Sequence, residues 1–343
     1  MASLLGCSKD VPLAAPAAPL TKPTRLCGEH EGPPHCRPAA QVEKLLGDEL
    51  EILSMADTPS GSQGAMLLTL RAPRHGTVLR VKWRPQSGAD VINEPRKELA
   101  ACAVQRLFLE PDELVAPPTV AHCFALEKYR VHVPKAKPSF HSIDCVLGFA
   151  SLWLEDVQSV GGARKDGLLS PGDGIWDPGL FAKDALYRSS VGKANLLTYL
   201  INHGDAHSEQ FMLERAPGGL RTYVVDSSIA FLSIKNPMLL LRQDWSSIQL
   251  PKLPPRPIQR LAKLTDADYA RLACATTLVR HDRQLTTEHQ PHCAPGDTTM
   301  SWQGERLRIG LSKSEIELVR QRVGELLQRP DLAQLTDSSP ARP

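Results

Sequence analysis

The sequence predicts an α+β protein made of two parts, a strand-rich part over residues 41–125 and a mainly helical part over residues 126–330. Runs of β-branched and apolar residues, separated by turn residues, occupy much of the first part. Apolar residues at helical spacing dominate after about residue 145. The chain has 343 residues, of which 42% are hydrophobic and 23% charged, so it is long enough for a sizeable core and ordinary in composition.

The overall composition counts against several kinds of partner and fold. The formal net charge is +2, basic and acidic residues are well mixed, and no basic stripe stands out, so we expect no nucleic-acid partner. No run of eighteen apolar residues occurs, and we therefore expect no transmembrane segment. The phosphate-binding motif Gly-x-x-x-x-Gly-Lys-Ser/Thr is absent from the sequence, which counts against a P-loop protein.

The two ends of the chain have the composition of disordered segments. The first 40 residues contain seven prolines among many alanines, which is typical of an extended tether without a packed core. We therefore expect residues 1–40 to be disordered and regular structure to begin near Val42. Residues 331–343, which follow Pro330, are expected to form a disordered tail.

The tetrapeptide at residues 4–7 resembles a bacterial lipoprotein cleavage site ending in Cys7. The basic and apolar segments that should precede such a site are absent from the chain. Two alternatives follow. Either the match is due to chance and the chain as given is cytoplasmic, or the true start lies upstream and the protein is a cell-envelope lipoprotein anchored at Cys7.

The chain contains eight cysteines and no C-x-x-C pair, so we expect most of them to be small buried residues without a disulfide scaffold. His203 and His207 are weak candidates for a zinc site. A larger group has better ligand chemistry, but its spacing matches no standard zinc finger, so a zinc site and a loop disulfide are both retained. That group consists of Cys27, His30, His35, Cys36, His289, His292 and Cys293.

The strand-rich part begins with a strand–turn–strand pattern. Residues 66–70 and 78–83 are the two β-rich runs, and a Ser/Gly segment with Gly61 and Gly64 precedes the first of them. A helix is predicted to start at Pro95, because the apolar residues that follow are spaced for one helical face. Another strand is expected to begin near residues 115–120.

The second part has fewer clear elements. Residues 196–201 are apolar and are expected to end a helix, and residues 222–225 form a short strand that runs into Asp226. Ser312 and Glu315 form a capping box that begins the last helix. The buried stripe of that helix is expected to contain Ile316, Val319, Val323 and Leu326.

Four polar residues occur in the order that phosphoryl transfer requires. The reaction needs an acid to orient the attacking hydroxyl, oxygen ligands for metal ions, and a lysine on a strand that is fixed by a glutamate on the next helix. Lys82 ends a predicted strand and Glu98 lies on the following helix. Asp205 lies on a loop after an apolar helix, Gln210 follows five residues later, and Asp226 follows a strand.

These stretches resemble parts of the atypical kinases. Lys82, Glu98 and residues 115–120 resemble the N-terminal lobe of the Golgi casein kinase family of secretory-pathway kinases. Residues 204–210 resemble the G-D-x-H-x-x-N loop of the phosphatidylinositol 3/4-kinase superfamily, and residues 225–231 are similar to the metal-site strand of type II phosphatidylinositol 4-kinases. The resemblance covers about residues 50–260. It implies a two-lobed protein-kinase-like fold with a β-rich N-terminal lobe and a mainly helical C-terminal lobe.

The resemblance also implies roles for individual residues. Lys82 would contact the phosphates of ATP and Glu98 would fix Lys82, although Glu94 is an alternative for that second role. Asp205 would be the catalytic acid or base. Asp226 and Gln210 would bind Mg²⁺ or Mn²⁺. The Ser/Gly segment with Gly61 and Gly64 would face the phosphates.

The chain departs from the family pattern at three places. Gln210 stands where the family has asparagine, Asp226 is followed by two serines, and the glycine-rich segment has only Gly61 and Gly64. The leading expectation is ATP- and metal-dependent phosphotransfer to a hydroxyl of a protein, a lipid or a small molecule. The alternatives are a pseudokinase that binds a nucleotide or a partner without turnover, and transfer of AMP by the same fold.

Overall fold

The computed structural model describes residues 23–27, 36–59, 64–86, 93–172, 174–232, 244–288 and 295–336. These residues form a mixed structure of helices and antiparallel sheets, so the predicted α+β class is confirmed. No helix within these ranges combines the length and the apolar character needed to cross a bilayer.

The described residues contain twelve strands in three antiparallel sheets and ten α-helices. The strands are β1 Glu51–Asp57, β2 Met66–Ala72, β3 Thr77–Pro85, β4 Thr119–Ala125, β5 Cys145–Leu152, β6 Val157–Ser159, β7 Phe211–Ala216, β8 Gly219–Val224, β9 Thr276–His281, β10 Gln284–Glu288, β11 Met300–Gln303 and β12 Arg306–Ile309. The helices are α1 Ala39–Gly47, α2 Arg96–Gln105, α3 Leu126–Arg130, α4 Val160–Lys165, α5 Pro178–Lys183, α6 Ala185–Leu200, α7 Pro255–Leu261, α8 Asp266–Arg271, α9 Lys313–Leu327 and α10 Leu332–Thr336.

The first sheet has the strand order β1-β2-β3-β5-β4. Its strands β2 and β3 contain the two predicted β-rich runs. Because side chains alternate along a strand, Val81 and Trp83 on β3 enter the core while Lys82 faces the other side. The pairing of Lys82 with Ser151 places β5 beside β3. The predicted boundary at residue 125 therefore falls within this sheet, because β5 lies beyond it.

Helix α2 lies against the first sheet and begins next to Pro95, as the sequence predicts. Nine of its ten residues are buried, Ala103 being the exception. A surface helix would bury about one face only. The burial is more complete here because the first sheet covers one side of α2 and residues from the C-terminal third of the chain cover another.

The second sheet, of order β10-β9-β12-β11, lies in the region that the sequence predicts to be mainly helical. Its strands are only four to six residues long, so each gives a weak alternation signal. Leu278, Leu285, Leu307 and Ile309 share a hydrophobic cluster with residues of β4 and β5 and with Leu99 of α2. The C-terminal third of the chain therefore covers the same face of the first sheet as α2.

The third sheet, β6-β7-β8, lies beside the long helix α6. Asp184 joins the two elements: one carboxylate oxygen accepts the N–H of Tyr187 and caps α6, and the other accepts the N–H of Leu220 on β8. The predicted helix end at residues 196–201 and the predicted strand at residues 222–225 lie at the end of α6 and within β8, each to within one residue.

Parts of the expected N-terminal tether are packed onto the fold. Leu26, Cys27 and Cys36 are buried, and the N–H of Thr24 donates to the carbonyl of Val78 at 3.0 Å. Helix α1 begins at Ala39, three residues before the expected start. The remainder of the segment, including Cys7, lies outside the described residues. Of the expected C-terminal tail, the part up to Thr336 contains helix α10.

Most of the described cysteines form disulfides, which corrects the expectation of small buried thiols. Cys27 is bonded to Cys36 and Cys123 to Cys145, and Cys274 is also disulfide-bonded. Cys123 and Cys145 lie on the adjacent strands β4 and β5, a proximity that their separation of 22 residues does not reveal. For Cys27 and Cys36, the structure agrees with the loop disulfide. Cys102 is a buried free thiol.

We expect reduction of the disulfides to lower the melting temperature by roughly 5 °C or more. Each disulfide restrains the unfolded chain and so stabilises the folded protein by about 2–4 kcal/mol. Thermal denaturation with and without dithiothreitol measures this effect. Oxidised dithiothreitol, which cannot reduce a disulfide, is the control. A fully reduced protein, verified by thiol titration, that melts at the same temperature would contradict the expectation.

Candidate functional site

The candidate site is a cleft of about 390 Å³. One wall comes from the first sheet and α2. The other comes from the loop after α6, from β7 and β8, and from the turn that follows β8. Five residues that the sequence analysis selects all line this cleft: Lys82, Glu98, Asp205, Gln210 and Asp226. They come from four separate stretches of the chain, so the fold is what brings them together.

Lys82 lies at the centre of the cleft between two carboxylates. Its Nζ is 2.8 Å from Oε1 of Glu98 and 2.9 Å from Oδ1 of Asp226. Burial alone would lower the pKa of Lys82, but the attraction of Glu98 and Asp226 outweighs that effect and raises the pKa above its usual value. Lys82 is therefore a fully charged ammonium at neutral pH.

Glu98, rather than Glu94, is the helical carboxylate that pairs with Lys82. Its second oxygen accepts the hydroxyl of Ser151 at 2.8 Å, and the Ser151 hydroxyl accepts that of Thr119 at 2.9 Å. Glu94 instead forms ion pairs with Arg96 and Lys97. Sequence reasoning missed Ser151, because only the pairing of β5 with β3 brings it to the cleft.

Asp226 follows β8 and has a left-handed backbone, with φ 58° and ψ 52°. Burial would raise the pKa of its carboxyl group, but the Lys82 ammonium and hydrogen bonds from Lys82 and Ser228 outweigh it and lower the pKa to about 2. The hydroxyl of Ser228 donates to Oδ1, the oxygen that also binds Lys82. Within the described part of the chain, Oδ2 accepts no hydrogen bond.

Asp205 lies on the loop between α6 and β7 and has a partner near each carboxylate oxygen. The amide nitrogen of Gln210 donates to Oδ2 at 3.3 Å, and Nε2 of His207 lies 3.5 Å from Oδ1. Nδ1 of His207 accepts the N–H of Glu209, so a neutral ring carries its proton on Nε2, toward Asp205. His207, a weak candidate for a zinc ligand in the sequence analysis, also lines the cleft.

His203 supports this loop from within the core. It is completely buried, and its Nδ1 accepts the N–H of Asp205 at 3.3 Å. Burial lowers the pKa of His203, which keeps the ring neutral at pH 7. His203 therefore acts as a structural hydrogen-bond acceptor for the backbone of the candidate catalytic residue.

The side chain of Gln210 directs its nitrogen to Asp205, which leaves the carbonyl oxygen for other contacts. Its backbone carbonyl accepts the N–H of Val225 at 2.9 Å, so the loop and the turn at Asp226 are joined directly. In the parts of the chain that the structure describes, no group of three or more His, Cys, Asp or Glu side chains is arranged to hold a metal ion.

The hairpin of β1 and β2 borders the cleft through Thr58 and Ala65. Gly64 next to it is exposed, with φ +72°, and is not among the lining residues. Glycine adopts such a left-handed backbone without steric cost. Gly61, the other glycine selected from the sequence, lies outside the described residues.

Arg84 is a second cation at the cleft that sequence reasoning did not select. It follows Lys82 by two residues on β3 and therefore has the same facing. It is 5% exposed, and its guanidinium donates to the side-chain oxygen of Asn93 at 2.5 Å. The sequence signal that could have identified Arg84 is its position two residues after Lys82 on a predicted strand.

Comparison of the chain with models of known protein families gives no match, and comparison with curated proteins gives none either.

Proposed function

We propose that the chain is an ATP- and metal-dependent phosphotransferase that acts on a hydroxyl group. The observation that supports this most is the position of Lys82, which binds Glu98 and Asp226 at once inside a cleft that also contains Asp205. A lysine held by a helical glutamate, with one acid after a strand and another on a loop, is the set of groups that kinases use. All four residues are predicted from the sequence in these roles.

The proposal includes a two-lobed kinase-like architecture. The first sheet and α2 would correspond to the N-terminal lobe, and the helical region around α6 with the β6-β7-β8 sheet would correspond to the core of the C-terminal lobe. The cleft between them has the size expected for a small-molecule site, about 300–1,000 Å³. The apolar part of its lining, which suits a nucleotide base, contains Ala116, Leu152, Leu154, Val157, Met212 and Val224.

The residues at the cleft fit a divalent metal ion bound together with a nucleotide. Asp226 is ionised, its Oδ2 accepts no hydrogen bond from any residue that the structure describes, and Gln210 has an amide oxygen. Mg²⁺ and Mn²⁺ prefer such oxygen ligands, and Mg²⁺ in kinases is usually bound by one or two carboxylates together with phosphate oxygens. When bound, the metal would neutralise negative charge on the phosphates.

Each polar side chain of the cleft would have its own role in the reaction. Asp205 would accept a hydrogen bond from the acceptor hydroxyl, orient it, and take its proton late in the transfer. The Lys82 ammonium would turn from Asp226 toward the phosphates and would keep its ion pair with Glu98. Gln210 and His207 would keep the Asp205 carboxylate in a fixed orientation.

The disulfides favour one of the two locations considered for the chain. Disulfides persist in oxidising compartments and are rare in the cytosol. The disulfides Cys27–Cys36 and Cys123–Cys145 and that of Cys274 therefore support the cell-envelope alternative. A phosphotransferase in such a compartment would act on acceptors exposed there, and Cys7 would be the candidate lipid anchor.

The direct test is binding of ATP with Mg²⁺ or Mn²⁺. At a nucleotide concentration near 100 times Kd, we expect the melting temperature to rise by about 5 °C or more. Asp226→Ala should abolish the metal-dependent part of that rise. Asp282→Ala is the matched control, because Asp282 also has a left-handed backbone but lies in the β9–β10 turn. No shift of the wild-type protein with either metal would reject the site.

Incubation of the wild-type protein with labelled ATP and candidate acceptors distinguishes phosphotransfer from AMP transfer and from a pseudokinase. Label transferred from the γ-phosphate supports phosphotransfer, and label transferred from the α-phosphate supports transfer of AMP. Binding of ATP without transfer of either label, to protein, lipid vesicles or small hydroxyl compounds, supports the pseudokinase. The pseudokinase remains an alternative because two serines follow Asp226 and because Gln210 stands where the resembled family has asparagine.

A further inference from the structure

The serine two residues after Asp226 is buried at the edge of the cleft. Ser228 is 1% exposed, and its hydroxyl donates to Oδ1 of Asp226 at 2.9 Å. The Ser228 side chain therefore donates a hydrogen bond to the candidate metal ligand.

The two donors to Asp226 use the same oxygen. Lys82 and Ser228 both bind Oδ1, and Oδ2 accepts no hydrogen bond from the described residues. The side chain of Asp226 is 42% exposed and lines the cleft. A carboxylate fixed at one oxygen presents the other in a defined direction, which favours binding of a cation.

We propose that Ser228 is a positioning residue that orients the Asp226 carboxylate for a divalent metal ion. This inference depends on the proposed function, because it concerns the metal of the same site. The role of Ser228 becomes most important when a nucleotide is bound. Lys82 would then turn toward the phosphates, and the Ser228 hydroxyl would be the donor that remains on Oδ1.

The backbone holds Ser228 in place for this role. Its carbonyl accepts the N–H of Glu94 at 3.0 Å, at the start of α2. The helix that supplies Glu98 is therefore attached to the turn that supplies Asp226. Ser228 is fixed by its main chain and acts on Asp226 through its side chain, so removal of the hydroxyl alone leaves the attachment to α2 intact.

The test compares Mn²⁺ affinity among variants at two serines whose hydroxyls make the same kind of bond. Ser228→Ala and Ser228→Gly remove the hydroxyl from the cleft. Ser246→Ala is the matched control, because Ser246 is also 1% exposed and its hydroxyl donates to Oδ1 of Asp244, two residues earlier, at 2.7 Å. Mn²⁺ binding is measured by electron paramagnetic resonance in the presence of a non-hydrolysable ATP analogue, and melting temperature is measured in parallel.

We expect Ser228→Ala and Ser228→Gly to weaken Mn²⁺ binding roughly tenfold, the scale of one hydrogen bond to a charged group. Ser246→Ala should bind Mn²⁺ as the wild type does, even if its melting temperature falls by as much. Unchanged Mn²⁺ affinity in both Ser228 variants, or an equal loss in Ser246→Ala, would overturn the role of Ser228. Absence of Mn²⁺ binding in the wild type would overturn the proposed function and this inference with it.

Discussion

Replacement of Asp205 by asparagine is expected to lower turnover by ~10²-fold or more and to leave nucleotide affinity nearly unchanged. Asparagine has nearly the same shape, and its oxygen can still accept the hydrogen bond that Gln210 donates to Asp205. It cannot accept the proton of an attacking hydroxyl. Because Lys82 and Asp226 are not altered, the groups proposed to bind ATP and metal remain in place.

Turnover and nucleotide affinity must be measured separately to test this expectation. Single-turnover assays with labelled ATP give the rate, and thermal shifts at several ATP concentrations give the affinity. Asp266→Asn is a suitable control, because Asp266 is 87% exposed on α8 and is not among the residues lining the cleft. If Asp205→Asn retains full turnover, Asp205 is not the acid or base. If it loses affinity to the same extent as turnover, its role is in binding.

Replacement of Arg96 by alanine is expected to cost about 3–5 kcal/mol of stability, the usual penalty for breaking a buried ion pair. Arg96 is 5% exposed at the start of α2. Its guanidinium binds both oxygens of Glu315, at 3.2 and 2.8 Å, and also Glu94 at 2.7 Å and the carbonyl of Gly310 at 3.3 Å. Removal of the cation leaves two carboxylates without its charge.

Arg96→Ala should lower turnover as well, because α2 supplies Glu98 to Lys82. Urea denaturation measures the stability, and assays well below the denaturation midpoint measure the turnover of folded protein. Arg280→Ala is the matched control. Arg280 also binds a glutamate, Glu305, through two nitrogens, but that pair is exposed, and exposed pairs contribute little. Equal losses of stability for the two variants would contradict a special role for Arg96.

The elements that the sequence predicted well depend on local patterns. Strands β2 and β3 follow from β-rich runs between turns, and α2 begins beside Pro95, which favours the first turn of a helix. The choice of Lys82, Glu98, Asp205 and Asp226 depended on their order along the chain. That order predicts which side chain each strand, helix or loop contributes, and the structure brings all four side chains to one cleft.

The features that the sequence did not predict depend on contacts between distant residues. Ser151 reaches Glu98 only because β5 pairs with β3, although β5 lies 60 residues or more after that strand. The second sheet consists of short strands whose alternation is weak, and its apolar residues are explained only by the face of β4 and β5 that they cover.

The cover that β9–β12 provide over the first sheet has a consequence for folding during synthesis. Leu99, Leu147 and Phe149 belong to a hydrophobic cluster that also contains Leu307 and Ile309, which are synthesised much later. Until the ribosome has released those residues, an apolar face of the first sheet is open to solvent and to other chains. Contacts so distant in sequence slow folding, and an exposed sheet face promotes aggregation. The nascent chain is therefore expected to need a chaperone until about residue 309 has emerged.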